Sequence, residues 1–315
     1  MRGGGVAIVI TTYNHASFLA AALSSALQQS VPADEIIVVD DGSTDRPEEV
    51  TARFAPDVRL IRQPNAGLSA ARNTGWRAAS AEFVVFLDAD DRLLPDALAH
   101  NLRRLGADPD AGMSYGGYVD VDALAGRRHL EGFLPVADGY PSLLRRNLIG
   151  MHAAVMYRRE RLAEIGGFDE GLAACEDYDL YLRIALRFPI LFVAEPLAEY
   201  WHHSGNMSRD SAMMLRQVLR VLRRQEPEAR RLGLMRAYRA GVVNRKRYYV
   251  MAWCLQLVHG LRTGSVDRAL FRQGVSLTRQ APVTVLGTPL RAVRYLVVRS
   301  LARWRRQRRS SAGPR

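Results

Sequence analysis

The chain has 315 residues, 48% of them hydrophobic, which is enough to bury a full core and to carry an additional module. Its two cysteines, Cys175 and Cys254, have no CxxC spacing, which excludes a disulfide framework and a cysteine zinc site and fits a reducing compartment. The net charge of +12 is unevenly distributed, because residues 1–210 carry 20 arginines against 29 acidic residues and residues 211–315 carry 24 basic residues against three acidic ones.

This division of charge predicts two domains, with net charges of −9 and +21. We place the first at 1–210 and a helical, arginine-rich region at 211–315. The sequence contains no signal-peptide pattern and no apolar span of 18 residues, so we expect a cytoplasmic protein without a transmembrane helix.

Three apolar runs in the first domain are typical of strands buried on both faces of a sheet, because they are continuous and rich in β-branched residues. Each run leads into a polar turn. The runs are 6–10, 35–39 and 83–87, and the turns are 11–14, 40–45 and 88–91. Ligands of open parallel α/β sheets bind beyond the carboxyl ends of the strands, which is where these turns lie.

The remaining elements alternate in the same way, which predicts one α/β domain. Helical spacing of apolar residues predicts helices at 17–28 and 178–186, and Pro95 marks the start of a helix at 96–105. A run rich in small residues predicts a helix at 69–79 that presses against the sheet. Further strands are predicted at 58–61, 114–119 and 153–157.

The acidic turn Asp88-Ala89-Asp90-Asp91 has two interpretations. Three carboxylates within four residues repel one another, and a divalent cation that carries a phosphate would relieve the repulsion. A solvated turn between a strand and a helix is the alternative. The cluster alone leaves both open.

Two clusters in the second half of this domain are ambiguous by themselves. Glu176-Asp177-Tyr178-Asp179 opens a predicted helix, where acidic residues are ordinarily favoured by the helix dipole. His202-His203 lies in a polar loop, and adjacent histidines are usually surface residues.

Taken together, six motifs resemble those of family 2 glycosyltransferases, inverting enzymes of GT-A fold. They occur in family order and are Thr11-Thr12-Tyr13-Asn14, residues 38–45, residues 65–75, residues 87–91, Glu176-Asp177 and residues 203–208. The resemblance covers about residues 5–210 and implies a Rossmann-like, mixed sheet flanked by helices. It does not reach the basic C-terminal extension.

The resemblance implies a nucleotide-sugar donor and its binding residues. Thr11, Tyr13 and Asp41 match positions that hold the base and ribose. An aspartate suits uracil, because it can accept the N3–H proton. Arg72 matches a basic position near the nucleotide, where a guanidinium reaches phosphate or base oxygens.

The resemblance also implies a metal ion, Mn²⁺ or Mg²⁺. Asp88 and Asp90 match the DxD motif, with Asp90 as the direct metal ligand and Asp88 as the partner of the metal and of ribose or sugar hydroxyls. His203 matches a histidine near the metal and diphosphate, although the adjacent His202 leaves the register open.

The implied catalytic base is Asp177. Inversion requires a base on the side of the sugar opposite the leaving diphosphate, so that the acceptor hydroxyl loses its proton as it attacks. Glu176 would orient that carboxylate or exchange roles with it.

The C-terminal segment around 290–304 has apolar residues at helical spacing with arginines between them, which predicts a basic amphipathic helix. It would lie on the anionic inner face of the plasma membrane, next to a lipid-linked acceptor, or pack on the acidic first domain. We favour the membrane, because the arginine excess exceeds what a domain of charge −9 requires.

Two other classes of function fit parts of the sequence. An isoelectric point near 10.3 is typical of nucleic-acid binding, but the excess of basic over acidic residues is confined to the C-terminal region, and no RNP, helix-turn-helix or zinc-finger pattern occurs. A non-catalytic nucleotide-sugar binding module is the other alternative, which the intact Asp88, Asp90 and Asp177 argue against. The sequence therefore predicts a glycosyltransferase that moves a sugar from a UDP-linked donor to a glycan or lipid-linked acceptor in cell-surface assembly, with no nucleic-acid partner.

Overall fold

The computed structural model describes residues 4–122, 126–132, 134–202, 209–263 and 266–287. The described residues form two compact units that divide at about residue 206. The assignment of 1–210 as a catalytic domain and of 211–315 as an extension remains a proposal.

One mixed sheet organises the first unit. In the described residues its strands are β1 (Val6–Thr12), β2 (Glu35–Asp40), β3 (Arg59–Arg62), β4 (Phe83–Asp88), β5 (Arg92–Leu93), β6 (Met113–Asp122), β7 (Arg127–Glu131), β8 (Val155–Arg158) and β9 (Ile190–Trp201). Their order is β3-β2-β1-β4-β8-β6-β9-β5, with β7 paired to β6.

Helices cover this sheet, as expected for an α/β fold. In chain order they are α1 (Ala16–Leu27), α2 (Pro47–Thr51), α3 (Leu68–Ala78), α4 (Ala97–Gly106), α5 (Tyr140–Arg145), α6 (Arg159–Glu164) and α7 (Glu176–Ala185). Single 3₁₀ turns occur at Ala52–Phe54 and His152–Ala154.

The parallel half of the sheet places the predicted polar turns along one edge. Strand β1 pairs in parallel with both β2 and β4, and Thr11 is level with Val39 on one side and Asp88 on the other. The carboxyl ends of three strands therefore meet, because parallel strands in register end at the same edge.

The two faces of β1 are covered by different helices. Ile8 and Ile10 are fully buried in a core that includes Leu19 and Leu23 of α1. Val9 points to the other face, where α3 approaches closely at Gly75. A Cβ atom added there would lie 2.2 Å from Cγ1 of Val9, so only glycine allows this contact. The small residues of α3 thus press against the sheet, as the sequence predicts.

The antiparallel strands make the sheet mixed. Strand β8 pairs antiparallel with β4 and β6, whereas β9 runs parallel to β6 with register shifts next to Gly117. The predicted strand at 153–157 starts only at Val155, because a turn closed by the bond from Ala154 N to Met151 O precedes it.

The second unit is helical in its described part. Its helices are α8 (Ser211–Arg231), α9 (Met235–Thr263), α10 (Arg268–Gln280) and α11 (Pro282–Gly287). Of the helices described, none has the length and apolar character that crossing a bilayer requires. The amphipathic helix predicted at 290–304 lies outside the described residues.

Candidate active site

Asp88, the last residue of β4, is held in place by hydrogen bonds from neighbouring elements. Its carboxylate accepts a hydrogen bond from Oγ1 of Thr11 across the β1–β4 pair, with 3.1 Å between the oxygens. The Asp88 side chain is one-third exposed, at 33%. Two of the predicted donor-binding residues therefore meet at the edge where the parallel strands end.

Arg72 on α3 joins Asp88 to α7. Its Nη2 donates to both carboxylate oxygens of Asp88, at 2.8 and 3.0 Å, and its Nη1 donates to Oε1 of Glu176 at 2.6 Å. The ring of Phe168 lies 5.6 Å from the guanidinium carbon. Burial alone would lower the pKa of Arg72, but the charges of Asp88 and Glu176 outweigh it and raise the pKa, so the guanidinium stays charged.

Asp177 lies in the first turn of α7, directly after Glu176. It is mostly buried but keeps some contact with solvent, and its Oδ1 accepts a hydrogen bond from the backbone N–H of Tyr178 at 2.6 Å. Burial raises the pKa of Asp177 to about 7, with repulsion from Glu176 adding to the shift and the charge of Arg72 opposing it. A carboxylate with a pKa near neutrality is suited to accept a proton at physiological pH.

A buried aromatic cluster, which no local sequence pattern predicted, lies beside these charges. The cluster consists of Phe86, His152, Tyr157, Phe168 and Tyr181. The Nε2 atom of His152 lies 3.0 Å from the hydroxyl of Tyr157, and burial lowers the pKa of His152 well below its usual value. Burial and the nearby charge of Asp177 raise the pKa of Tyr157. These side chains are neutral at physiological pH, so they add apolar surroundings and no compensating charge to the site.

Asp41 and Tyr13 follow the neighbouring strand ends. The Asp41 carboxylate accepts hydrogen bonds from the backbone N–H groups of Ala66 and Gly67, at 2.9 and 2.8 Å, and from the Gln63 amide at 2.8 Å. Asp41 thus stabilises the turn before α3. It can accept one more hydrogen bond, since a carboxylate accepts about four. The Tyr13 side chain is half exposed, at 50%.

The other two acids of the 88–91 turn have different surroundings. Asp90 is partly exposed, whereas Asp91 is buried and accepts a hydrogen bond from the backbone N–H of Trp201 at 3.2 Å. Burial raises the pKa of Asp91, and repulsion from Asp90 and Asp88 adds to it. Asp91 therefore anchors the turn to β9.

The predicted metal ligands are only partly within the described residues. Across the parts of the chain with described coordinates, no group of three or more His, Cys, Asp or Glu side chains is arranged to hold a metal. His203 lies outside the described residues, and Nε2 of His202 lies 2.9 Å from the carboxylate oxygens of Asp120. Asp88 and Asp90 still fit Mg²⁺ or Mn²⁺, because such ions are commonly held by one or two carboxylates together with substrate phosphates.

Known proteins resemble this chain in sequence and in fold. Residues 7–166, about half of the chain, match the model of glycosyl transferase family 2. This chain belongs to that family. A second model, described as glycosyltransferase like family 2, matches residues 140–250.

Two curated relatives are 32% identical to the chain. An uncharacterized protein of Mycobacterium tuberculosis aligns over 232 residues, 68% of this chain and 72% of the relative. An uncharacterized glycosyltransferase of Rickettsia felis aligns over 212 residues, 65% of this chain but only 35% of the relative. The chain thus spans about a third of the second protein.

Two solved structures share the fold. One is a mannosyltransferase from Pyrobaculum calidifontis in complex with GDP-Man and Mn²⁺. The superposition covers 95% of this chain and 87% of the mannosyltransferase, with a TM-score of 0.59 and 20% identity. The other is residues 1–349 of Staphylococcus aureus TarS in complex with UDP-GlcNAc. The superposition covers 88% of this chain and 91% of the TarS chain, with a TM-score of 0.54 and 18% identity. The predicted GT-A fold, a mixed sheet flanked by helices, is confirmed.

Proposed function

We propose that this protein is an inverting glycosyltransferase that moves a sugar from a nucleoside-diphosphate donor, with UDP as the nucleotide, to an acceptor hydroxyl. The observation that carries the proposal is a connected set of side chains at this site. Asp177, a carboxylate with a pKa of about 7, follows Glu176 in α7. Buried Arg72 donates hydrogen bonds to both Glu176 and Asp88. Solved relatives of the same fold that contain UDP-GlcNAc or GDP-Man support a nucleotide-sugar donor.

The donor would bind beyond the carboxyl ends of β1, β2 and β4. The half-exposed ring of Tyr13 would lie against the base, and the remaining lone pair of Asp41 would accept the N3–H of uracil. Thr11 and Asp88 would bind ribose or sugar hydroxyls.

Asp90 and Asp88 would hold Mn²⁺ or Mg²⁺, with His203 as a third ligand. The ion would neutralise the diphosphate as it leaves. For Arg72 we propose a positioning role in place of the phosphate contact that the resemblance implies, because the guanidinium is 2% exposed and already bonded to two carboxylates.

Asp177 would remove the proton of the acceptor hydroxyl as that oxygen attacks the anomeric carbon. The bond between this carbon and the diphosphate oxygen breaks on the opposite side, which inverts the configuration. Glu176, held by Arg72, would fix the orientation of the α7 end. The acceptor we propose is a glycan or a lipid-linked glycan in cell-surface assembly.

Release of nucleoside diphosphate from a panel of sugar nucleotides tests the proposal. We expect turnover with one donor, dependent on Mn²⁺ or Mg²⁺. Asp90→Ala should weaken donor binding about tenfold or more in the presence of metal, because a charged ligand of the ion is lost, and should have no effect in the presence of a chelator. Asp110→Ala, an exposed aspartate on another loop, is the matched control. Equal donor affinity of wild type and Asp90→Ala, with and without chelator, would contradict the metal assignment.

The pH dependence of turnover provides a second test. A general base acts in its ionised form, so kcat/KM should rise with pH and level off above the pKa of about 7 that burial gives Asp177. At one pH unit below this pKa the value should be about a tenth of the plateau. A profile that stays flat across neutral pH would rule out Asp177 as the group that titrates.

A further inference from the structure

The outward face of α10 in the second unit combines exposed apolar and basic side chains. Phe271 is 70% exposed and Val275 is 42% exposed. The opposite face is buried, with Gly274 against the Trp253 ring and Leu277 fully enclosed. The exposed pair therefore does not belong to the core of the unit.

Three arginines share this outward face. Arg268, Arg272 and Arg279 are exposed and recur at spacings of four and seven residues, which places them on one side of the helix beside Phe271 and Val275. Val266, Arg268, Phe271 and Arg272 line a common surface hollow together with Asp267. We call the set Val266, Phe271, Val275, Arg268, Arg272 and Arg279 the α10 face.

Acidic residues of the same unit offset only part of this charge, since Asp267 is the one acid that lines the hollow beside Arg268 and Arg272. In the described part of the unit, each acid accepts hydrogen bonds from a helix N-terminus or from an arginine of its own helix: Asp210, Glu226, Glu228 and Asp267. No ion pair between an arginine of the α10 face and an acid occurs in those residues. The α10 face therefore presents apolar surface flanked by positive charge.

The exposed apolar character continues along the chain. In α11, Val283 is 83% exposed and Leu286 is 82% exposed. Contiguous apolar surface that faces water is uncommon on soluble proteins and marks an interaction site.

From these observations we infer that the α10 face docks on an anionic phospholipid surface. Apolar side chains enter the boundary between headgroups and acyl chains, and arginines at the same level bind the lipid phosphates. The C-terminal residues 288–315 are a poor occupant, because they contain nine arginines and no acid and would repel the face. Nucleic acid fits less well, since phosphate binding leaves Val275, Val283 and Leu286 in water.

Membrane docking rests on the proposed function only for its purpose, because an enzyme bound to a membrane reaches a lipid-linked acceptor. Binding itself involves residues outside the candidate active site, so it is measured without turnover.

Flotation of the full chain with vesicles tests the inference. We expect binding to vesicles of phosphatidylcholine that contain phosphatidylglycerol, and much weaker binding to phosphatidylcholine alone. Phe271→Asp/Val275→Asp should lower the partition coefficient roughly tenfold or more. Arg268→Gln/Arg272→Gln/Arg279→Gln should lower it by about fivefold per arginine on anionic vesicles. Phe271→Ser/Val275→Ser provides a milder version if the charged variant does not fold.

Matched controls come from the first unit. Leu130→Asp alters an apolar side chain with 65% exposure, and Arg103→Gln removes an exposed arginine, so both should leave flotation unchanged. Circular dichroism should show the same helix content in all variants.

Other outcomes overturn the inference. These are absence of flotation, flotation that the α10 variants do not alter, RNA binding without vesicle binding, and self-association that Phe271→Asp/Val275→Asp abolishes without any vesicle binding. Donor-dependent release of nucleoside diphosphate without vesicles should be the same in the α10 variants and wild type. A chain that floats but releases nothing would refute the proposed function and leave this inference standing.

Discussion

Replacing Asp177 with asparagine is expected to lower kcat by about 10²–10⁴-fold, the usual contribution of a general base. Asparagine has the same shape and can accept the hydrogen bond that the Tyr178 N–H donates, so the end of α7 should keep its geometry. Donor affinity should change little, because the residues proposed to bind the nucleotide lie on other elements. Single-turnover kinetics and donor titration measure the two quantities separately.

The Asp177→Asn substitution should also change the pH dependence of thermal stability. Because burial raises the pKa of Asp177 to about 7, the folded state of the wild type is stabilised by protonation and loses that stability as pH rises through 7. Asparagine stays neutral, so Asp177→Asn should be more stable than wild type above pH 7. Asp179→Asn is the control on the same helix, since its carboxylate bonds to Arg183 at 2.7 Å, and it should retain turnover. Full activity of Asp177→Asn would refute its role as the base.

Replacing Arg72 with methionine is expected to destabilise the fold by about 3–5 kcal/mol, because removal of one partner leaves a buried charge uncompensated. Glu176 is 8% exposed in its side chain and would lose the 2.6 Å bond to the guanidinium, and Asp88 would lose two bonds. Arg72→Lys should be intermediate, since an ammonium cannot form the same planar fork. Denaturant unfolding provides the free energies.

The surface pair Arg230–Glu226 supplies the matched control. Arg230 is 70% exposed, so Arg230→Met should cost less than about 1 kcal/mol. Arg72→Met/Glu176→Gln should be less unstable than the sum of the single changes, because the second change removes the stranded charge. An effect of Arg72→Met as small as that of Arg230→Met would show that the ion pairs contribute nothing to the fold.

Arg72 and Asp177 belong to one group of interacting side chains around the first turn of α7. Arg72 links α3, the end of β4 and the first turn of α7, and its charge also opposes the shift in the pKa of Asp177. Loss of Arg72 should therefore disturb the proposed donor side and the proposed base together. Loss of Asp177 should slow the chemical step and leave the proposed donor side intact.

Local sequence patterns were sufficient for the parallel half of the sheet. Continuous β-branched runs predicted β1, β2 and β4, since strands buried on both faces need apolar side chains at every position. The small residues of α3 predicted its close packing, and Gly75 against Val9 is the contact that requires them.

Strand β9 was not predicted, although it has twelve residues. Glu195 and Pro196 interrupt its apolar run, and its identity as a strand depends on pairing with β6, more than 70 residues earlier in the chain. Such a strand is fixed by non-local hydrogen bonds, which local periodicity does not encode.

The same distinction applies to the candidate site. The positions of the carboxylates at strand and helix ends followed from local patterns, because apolar runs stop at Asp40-Asp41 and at Asp88, and Glu176-Asp177 opens a helix. The inward course of Arg72 to Asp88 and Glu176, and the aromatic side chains next to these charged groups, follow from tertiary packing. Burial and Coulomb energy depend on which distant segments pack together, so the pKa of Asp177 became visible only in the folded chain.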